Sequence, residues 1–234
     1  MTQPEVVIIG SGRGGGTLAA ALAPTGRRIV ILERGERLKP SPHDRDAEAI
    51  FGRSRFRPDE PWLDGQGQPF DAGNYYMVGG NSKFYGAALI RYRESDFAPV
   101  THRDGTTPGW PISYGALEPD YSAAEQIYGV RGAAGEDPTE PARSAPYPHD
   151  PVPDEPDIAD LRQRLARVGL TPSGLPLGVD LERWLAAGRT PWDGHPDTCG
   201  GKMDAETVAI AAALRHPNVE LMTGCRVRAI LSNA

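Results

Sequence analysis

An α/β fold with a mostly parallel sheet is what this sequence predicts, on three observations. Glu5 to Ile9 (EVVII) is a β-branched run without alternation, the pattern of a strand buried on both faces of a parallel sheet. From about Gly14 to Ala23 a Leu/Ala-rich stretch, ended by Pro24 and Gly26, suits a small-residue helix lying close to that sheet. Arg28 to Glu33 (RIVILE) then reads as a second buried strand, so a βαβ unit closes within about thirty residues. Such a unit opens a Rossmann-like α/β fold.

The remaining elements follow in order. From Arg34 to about Tyr75 the chain is charged and rich in Pro and Gly, without a lasting period, and is expected to be a long, mostly irregular surface excursion. Tyr76 to Tyr92 is apolar with a Gly-Gly break, and Trp110 to Tyr128 has helical character with Ser113 placed to cap it. Pro138 to Pro156 reads as a connector or surface meander. Beyond it Ile158, Leu161, Leu165 and Val168 recur at helical spacing behind Asp157 as N-cap, and Gly169 ends the helix. Asp204 should cap an Ala-rich helix running to about Leu214. His216-Pro217-Asn218 is the turn after it, with strands over Val219 to Met222 and Arg226 to Leu231. The sheet is therefore expected to be incomplete at the C-terminus, where the last strand has no partner following it.

Composition removes several function classes. The 234 residues carry a formal net charge of −6, which argues against a general nucleic-acid binder or a polybasic membrane-surface protein. No apolar run reaches the length of a membrane span and no export signal opens the chain. Cys199 and Cys225 are the only cysteines, so no disulfide framework is expected and a reducing, cytoplasmic compartment is the natural reading. No repeat is visible.

The chemistry concentrates in Gly10-Ser11-Gly12-Arg13-Gly14-Gly15, which fits G-x-G-x-x-G at the joint between the first strand and the first helix. Gly10 permits the tight turn, Gly12 lets the backbone approach a diphosphate, and Gly15 lets the helix pack on the strand. The helix N-terminus adds free N–H groups and the positive end of its dipole. Glu33 ends the second strand, where a carboxylate accepts ribose hydroxyls and disfavours a 2′-phosphate. Its loss is expected to weaken nucleotide binding and leave the fold intact. The motif alone leaves FAD and NAD open.

Residues 6 to 35, ending in Glu33-Arg34-Gly35, resemble the N-terminal FAD fingerprint of the glucose-methanol-choline (GMC) oxidoreductases. Val78-Gly79-Gly80-Asn81-Ser82-Lys83-Phe84-Tyr85-Gly86 resembles the family's second motif, whose backbone lies along the cofactor. Trp110-Pro111-Ile112-Ser113-Tyr114 is similar to its W-P-I-S-Y stretch, and His216 to Val219 with Cys225-Arg226-Val227 to the late strand whose valine backbone meets adenine. The resemblance implies FAD as cofactor, held by Gly10, Ser11, Gly12, Gly14, Gly15, Glu33, Arg34, Gly79, Gly80, Asn81, Ser82 and Val227. It implies hydride transfer from a CH–OH donor, a small-molecule alcohol, to flavin N5, with the electron acceptor open. Nucleotide-binding segments would cover about 1–35, 70–95 and 200–234, with 36–69 and 96–199 as cover or partial substrate-domain elements. Tyr85 stands where the family has Asn, and no His or Cys sits at the usual attachment point, so FAD is expected to be non-covalent. The family's catalytic histidine lies far towards the C-terminus, so catalytic residues are expected beyond Ala234 and the 234 residues alone are expected to be inactive.

Other readings compete. The chain could be a non-catalytic or truncated nucleotide-binding module, one subunit of a split enzyme completed by a partner chain, or an NAD-dependent enzyme sharing only the fingerprint. Arg13 could meet a phosphate or face solvent. His195, Asp197 and Cys199 are metal-capable but lack a second ligand pair, so no metal site is expected. His102 reads as structural, Cys199 as a packed or surface thiol, and Cys225 as core.

Overall fold

The computed structural model describes residues 3–187 and 193–232. In chain order its elements are β1 (Val6–Ile9), α1 (Arg13–Leu22), β2 (Ile29–Leu32), the hairpins β3/β4 (Trp62–Leu63, Pro69–Phe70) and β5/β6 (Val100–His102, Gly105–Thr107), the helices α2 (Tyr114–Ile127), α3 (Pro156–Arg167), α4 (Leu181–Ala186) and α5 (Ala211–Ala213), and the strand β7 (Val219–Met222). Strands β1, β2 and β7 form a parallel sheet in the order β1-β2-β7, with Ile8 beside Ile31 and Ile31 beside Leu221. The βαβ unit stands as expected. Ile8, Ile29, Ile31 and Val219 turn one face of the sheet onto Ala19 of α1 and Ala23 just after it, with Val78, Ile210 and Ala213 filling the same core. The alanines let the helix axis come close to the strands.

The other face differs from the expectation. Val7 and Ile9 are each 51% exposed, so β1 is buried on one face only, although Val30, beside Val7 on the same face, is covered. The expected strand over Arg226 to Leu231 is irregular chain, with Ile230 and Leu231 exposed. Among the described residues no neighbouring strand takes its backbone groups, and β-structure needs such a partner. Cys225 consequently lies past β7 and is half-buried rather than core.

Two units divide the chain, Met1–Ala87 with Asp180–Ala234, and Ala88–Val179. In the first, the excursion after β2 is not all surface. Ser41 caps a 3-10 turn at Pro42–Arg45, a π-helical turn spans Glu48–Gly52, and Asp44, Ala49 and Ile50 are buried. The helix after Asp204 begins as a π-helical turn, Glu206–Ile210, before α5; the Asp204 carboxylate accepts the Thr207 N–H at 2.9 Å and so caps it as anticipated.

In the second unit Ser113 caps α2 by accepting the Ala116 N–H. Buried Arg91 braces that helix with paired bonds to Glu125, both 2.8 Å, and one to Glu118 at 2.9 Å. Helix α3 begins two residues earlier than anticipated. Pro156 occupies its first position and Glu155 its N-cap, so Asp157 lies inside, because proline's fixed φ suits the first helical residue. Its apolar stripe is not core: Ile158, Leu161 and Val168 are exposed. His102 sits in the exposed β5/β6 hairpin, its Nε2 2.8 Å from Thr107 Oγ1.

Candidate nucleotide site

The joint between β1 and α1 shows what its glycines are for. Gly10 has φ +92°, which side-chain-bearing residues rarely adopt, and a Cβ on Gly15 would sit 2.1 Å from the Gly10 carbonyl oxygen. At Gly12 and Gly14 a Cβ would meet nothing within 4 Å, so the mouth of the loop is open. Gly12 offers no side-chain cap, and the first turn of α1 holds no acid. The N–H groups at this helix end are thus presented to whatever occupies the mouth.

Glu33 ties the surrounding segments together. Its Oε2 accepts the Ser11 N–H at 2.9 Å and the Ser11 hydroxyl at 2.6 Å, and its Oε1 accepts the Gly35 N–H at 2.9 Å. Ser11 Oγ in turn accepts the Gly79 N–H at 3.2 Å. One buried carboxylate and one buried hydroxyl therefore join the glycine loop, the end of β2 and the Gly79–Gly80 turn. That turn lies against the loop: a Cβ on Gly80 would be 3.8 Å from Gly12 Cα. A carboxylate has roughly four acceptor positions, so Glu33 keeps room for one further donor.

The other expected residues are placed less directly. Ser82 turns inward, donating to the Gly79 carbonyl at 2.6 Å and accepting the Ala205 N–H at 3.0 Å. Asn81 is exposed, and its Oδ1 accepts the Tyr75 N–H at 2.9 Å. Arg34 pairs with Glu60 at 2.7 Å and lies 3.6 Å over the Tyr76 ring. Glu60 also binds Arg226 at 2.8 Å, and the Cys225 N–H donates to the Glu33 carbonyl at 2.8 Å, so Val227 comes two residues after a direct contact with Glu33.

Several residues that matter here carried no local signal. Lys83, almost fully buried, bridges Asp204 at 3.0 Å and Glu206 at 3.1 Å and so locks the second-motif turn to the helix from Glu206. The carboxylates hold the Lys83 ammonium above its ordinary pKa against burial, while burial pushes Asp204 up despite Lys83. Nothing short of tertiary contact could pair residues 121 positions apart.

The segment His195 to Cys199 is a closed polar turn. Asp197 Oδ1 accepts the Cys199 N–H and thiol, and its Oδ2 the Lys202 N–H. Lys202 Nζ donates to the His195 carbonyl at 2.8 Å. Among the described residues no group of three His, Cys, Asp or Glu is arranged to hold a metal ion. Burial, with Asp197 beside it, pushes the Cys199 thiol up, away from the thiolate a nucleophile needs.

Lys202 is fully buried, and that burial drives its pKa down to about 8. Between that value and the unfolded lysine value near 10.5, the unfolded chain binds more protons than the folded one, so stability rises with pH across the window. The rise expected from this group is about 3 kcal/mol. Urea unfolding from about pH 8 to about pH 10.5 should show it, and Lys202→Met should flatten it relative to the parent. Parallel slopes in the two proteins would show that Lys202 stays charged in the fold.

No protein-family model matches the chain. Over 95% of its length it is similar to the 6'''-hydroxyparomomycin C oxidase of Streptomyces lividus, with 31% identity over 230 residues and 41% of that protein covered. The paromamine 6'-oxidase of Streptomyces fradiae is 30% identical over 230 residues, again 95% of this chain and 40% of that protein. Among solved structures, an FAD-dependent oxidoreductase from Chaetomium thermophilum matches with TM-score 0.53 at 16% identity, covering 94% of this chain and 38% of that one, a likeness of fold. The chain spans about 40% of the length of the curated relatives it matches.

Proposed function

We infer, for a chain that belongs to the GMC-type oxidoreductases, that it is the FAD-binding portion of an enzyme oxidising the CH–OH group of a small-molecule alcohol. The observation that carries the reading is the junction at Glu33, which gathers the glycine loop, the end of β2 and the Gly79–Gly80 turn around one open mouth. The residues present fit the cofactor, since the space beyond Gly12 is empty where a Cβ would otherwise intrude. Bound FAD supplies the hydride acceptor. The backbone at Gly12, Gly14 and Gly15 faces the diphosphate, the spare acceptor position of Glu33 takes an adenosine ribose hydroxyl, and Arg34 and the Val227 backbone flank the adenine side. The Gly79 to Ser82 turn lies along the rest of the cofactor. Segments 1–35, 70–95 and 200–234 form this nucleotide-binding part.

The half-exposed row of Val7, Ile9 and Met222 supports a further part of the reading: the open sheet face is closed in the working enzyme by additional polypeptide, in the same chain or a partner. No helix of the described residues is long and apolar enough to cross a membrane. We place the protein in the cytoplasm, on its two unpaired cysteines.

The absorbance spectrum of the purified chain tests the assignment. A flavin spectrum is expected, with FAD released into the supernatant by acid precipitation. A yellow pellet with a one-flavin mass increase would refute non-covalent binding, and affinity for NAD without flavin would reduce the site to a shared fingerprint.

A further inference from the structure

Arg13 is the first residue of α1, a ten-residue helix whose opening turn carries no acid. A cation there is repelled by the positive end of the helix dipole, yet the fold holds it in place. Its guanidinium carbon lies 4.5 Å from the centroid of the Tyr85 ring, and its Nη2 donates to the Met203 carbonyl at 3.1 Å. The Tyr85 hydroxyl donates to the same carbonyl at 3.0 Å. Three segments distant in sequence, at Arg13, Tyr85 and Met203, thus converge to fix one charge on the residue that follows Gly12, where the loop is open. An arrangement that opposes the helix dipole in the free protein becomes favourable when an anion enters between the charge and the helix N–H groups.

We propose that Arg13, seated on Tyr85, is the cation that takes up the charge of a dinucleotide's diphosphate, and that Tyr85 is its positioning residue. The inference rests on the dinucleotide reading above. It gives Tyr85 a task different from the flavin contact of the asparagine it replaces.

Titration calorimetry of the purified chain with FAD and with ADP tests it. Arg13→Gln should weaken both by about 10- to 100-fold and reduce the salt dependence of binding. Arg13→Lys, which keeps the charge, should recover part of the loss. Tyr85→Phe, which keeps the ring, should bind better than Tyr85→Leu. The Tyr85→Leu loss should disappear in the Arg13→Gln background, since a platform matters only to what it supports. A merely structural tyrosine would cost as much in both backgrounds, and that result overturns its positioning role. FAD affinity of folded Arg13→Gln within about twofold of the parent overturns the proposal while leaving the dinucleotide reading intact. Failure of the unaltered chain to bind FAD or ADP overturns both.

Discussion

Glu33→Gln is expected to cost the protein both its nucleotide affinity and part of its fold. The carboxylate accepts three donors of its own chain, two on Oε2 and one on Oε1. Either orientation of the replacing amide turns its NH2 group against an N–H or O–H that also donates. Each buried donor left without an acceptor costs about 1–3 kcal/mol. This revises the expectation from sequence that the fold would be indifferent, because Glu33 serves as the tie of the glycine loop as well as a candidate ribose acceptor. Urea unfolding should show the loss directly, and FAD affinity should fall by at least about tenfold. Unchanged unfolding together with unchanged affinity would remove Glu33 from both roles.

Lys83→Met should be comparably severe. The ammonium is the shared partner of Asp204, which is fully buried, and Glu206. Without it Asp204 is an uncompensated charge, and breaking a buried pair in this way costs about 3–5 kcal/mol. The pH dependence identifies the cause. The Asp204 pKa is already raised by burial and rises further when Lys83 is lost, so the folded variant binds a proton the unfolded chain does not. Stability then falls as pH rises through that window. The variant should be closer to the parent at about pH 4.5 than at about pH 7.5, and adding Asp204→Asn should recover much of the neutral-pH loss. Equal destabilisation at both pH values would mean that Lys83 contributes packing rather than charge.

The two predictions concern residues of opposite legibility. The glycine loop could be read because its determinants are local: a β-branched strand, a turn that needs Gly10 at positive φ, a helix that needs Gly15 without a Cβ, and a second strand ending in an acid, all within thirty-odd residues. Ser113 and Asp204 as caps were legible for the same reason, since a cap and its N–H partner lie three residues apart. Lys83 was not, for its partners come from the far end of the chain and no pattern in Gly-Gly-Asn-Ser-Lys marks the lysine as buried.

Propensity also misled where burial decides. The apolar stripe of α3 and the β-branched character of β1 both suggested more cover than they have, because periodicity reports which face is apolar and not whether anything lies on it. The stretch from Arg226 to Leu231 has strand composition, but a strand exists only through hydrogen bonds to a neighbour, and that neighbour is a tertiary fact. What the sequence by itself determined is the βαβ unit, its glycine turn and the acid at its end, because short-range sterics and hydrogen bonding specify them. What only the tertiary structure decided is how Glu33, Ser11 and Gly79 meet, where Arg13 is held, and which charges are paired in the interior. Those depend on distances between residues that the chain brings together only by folding.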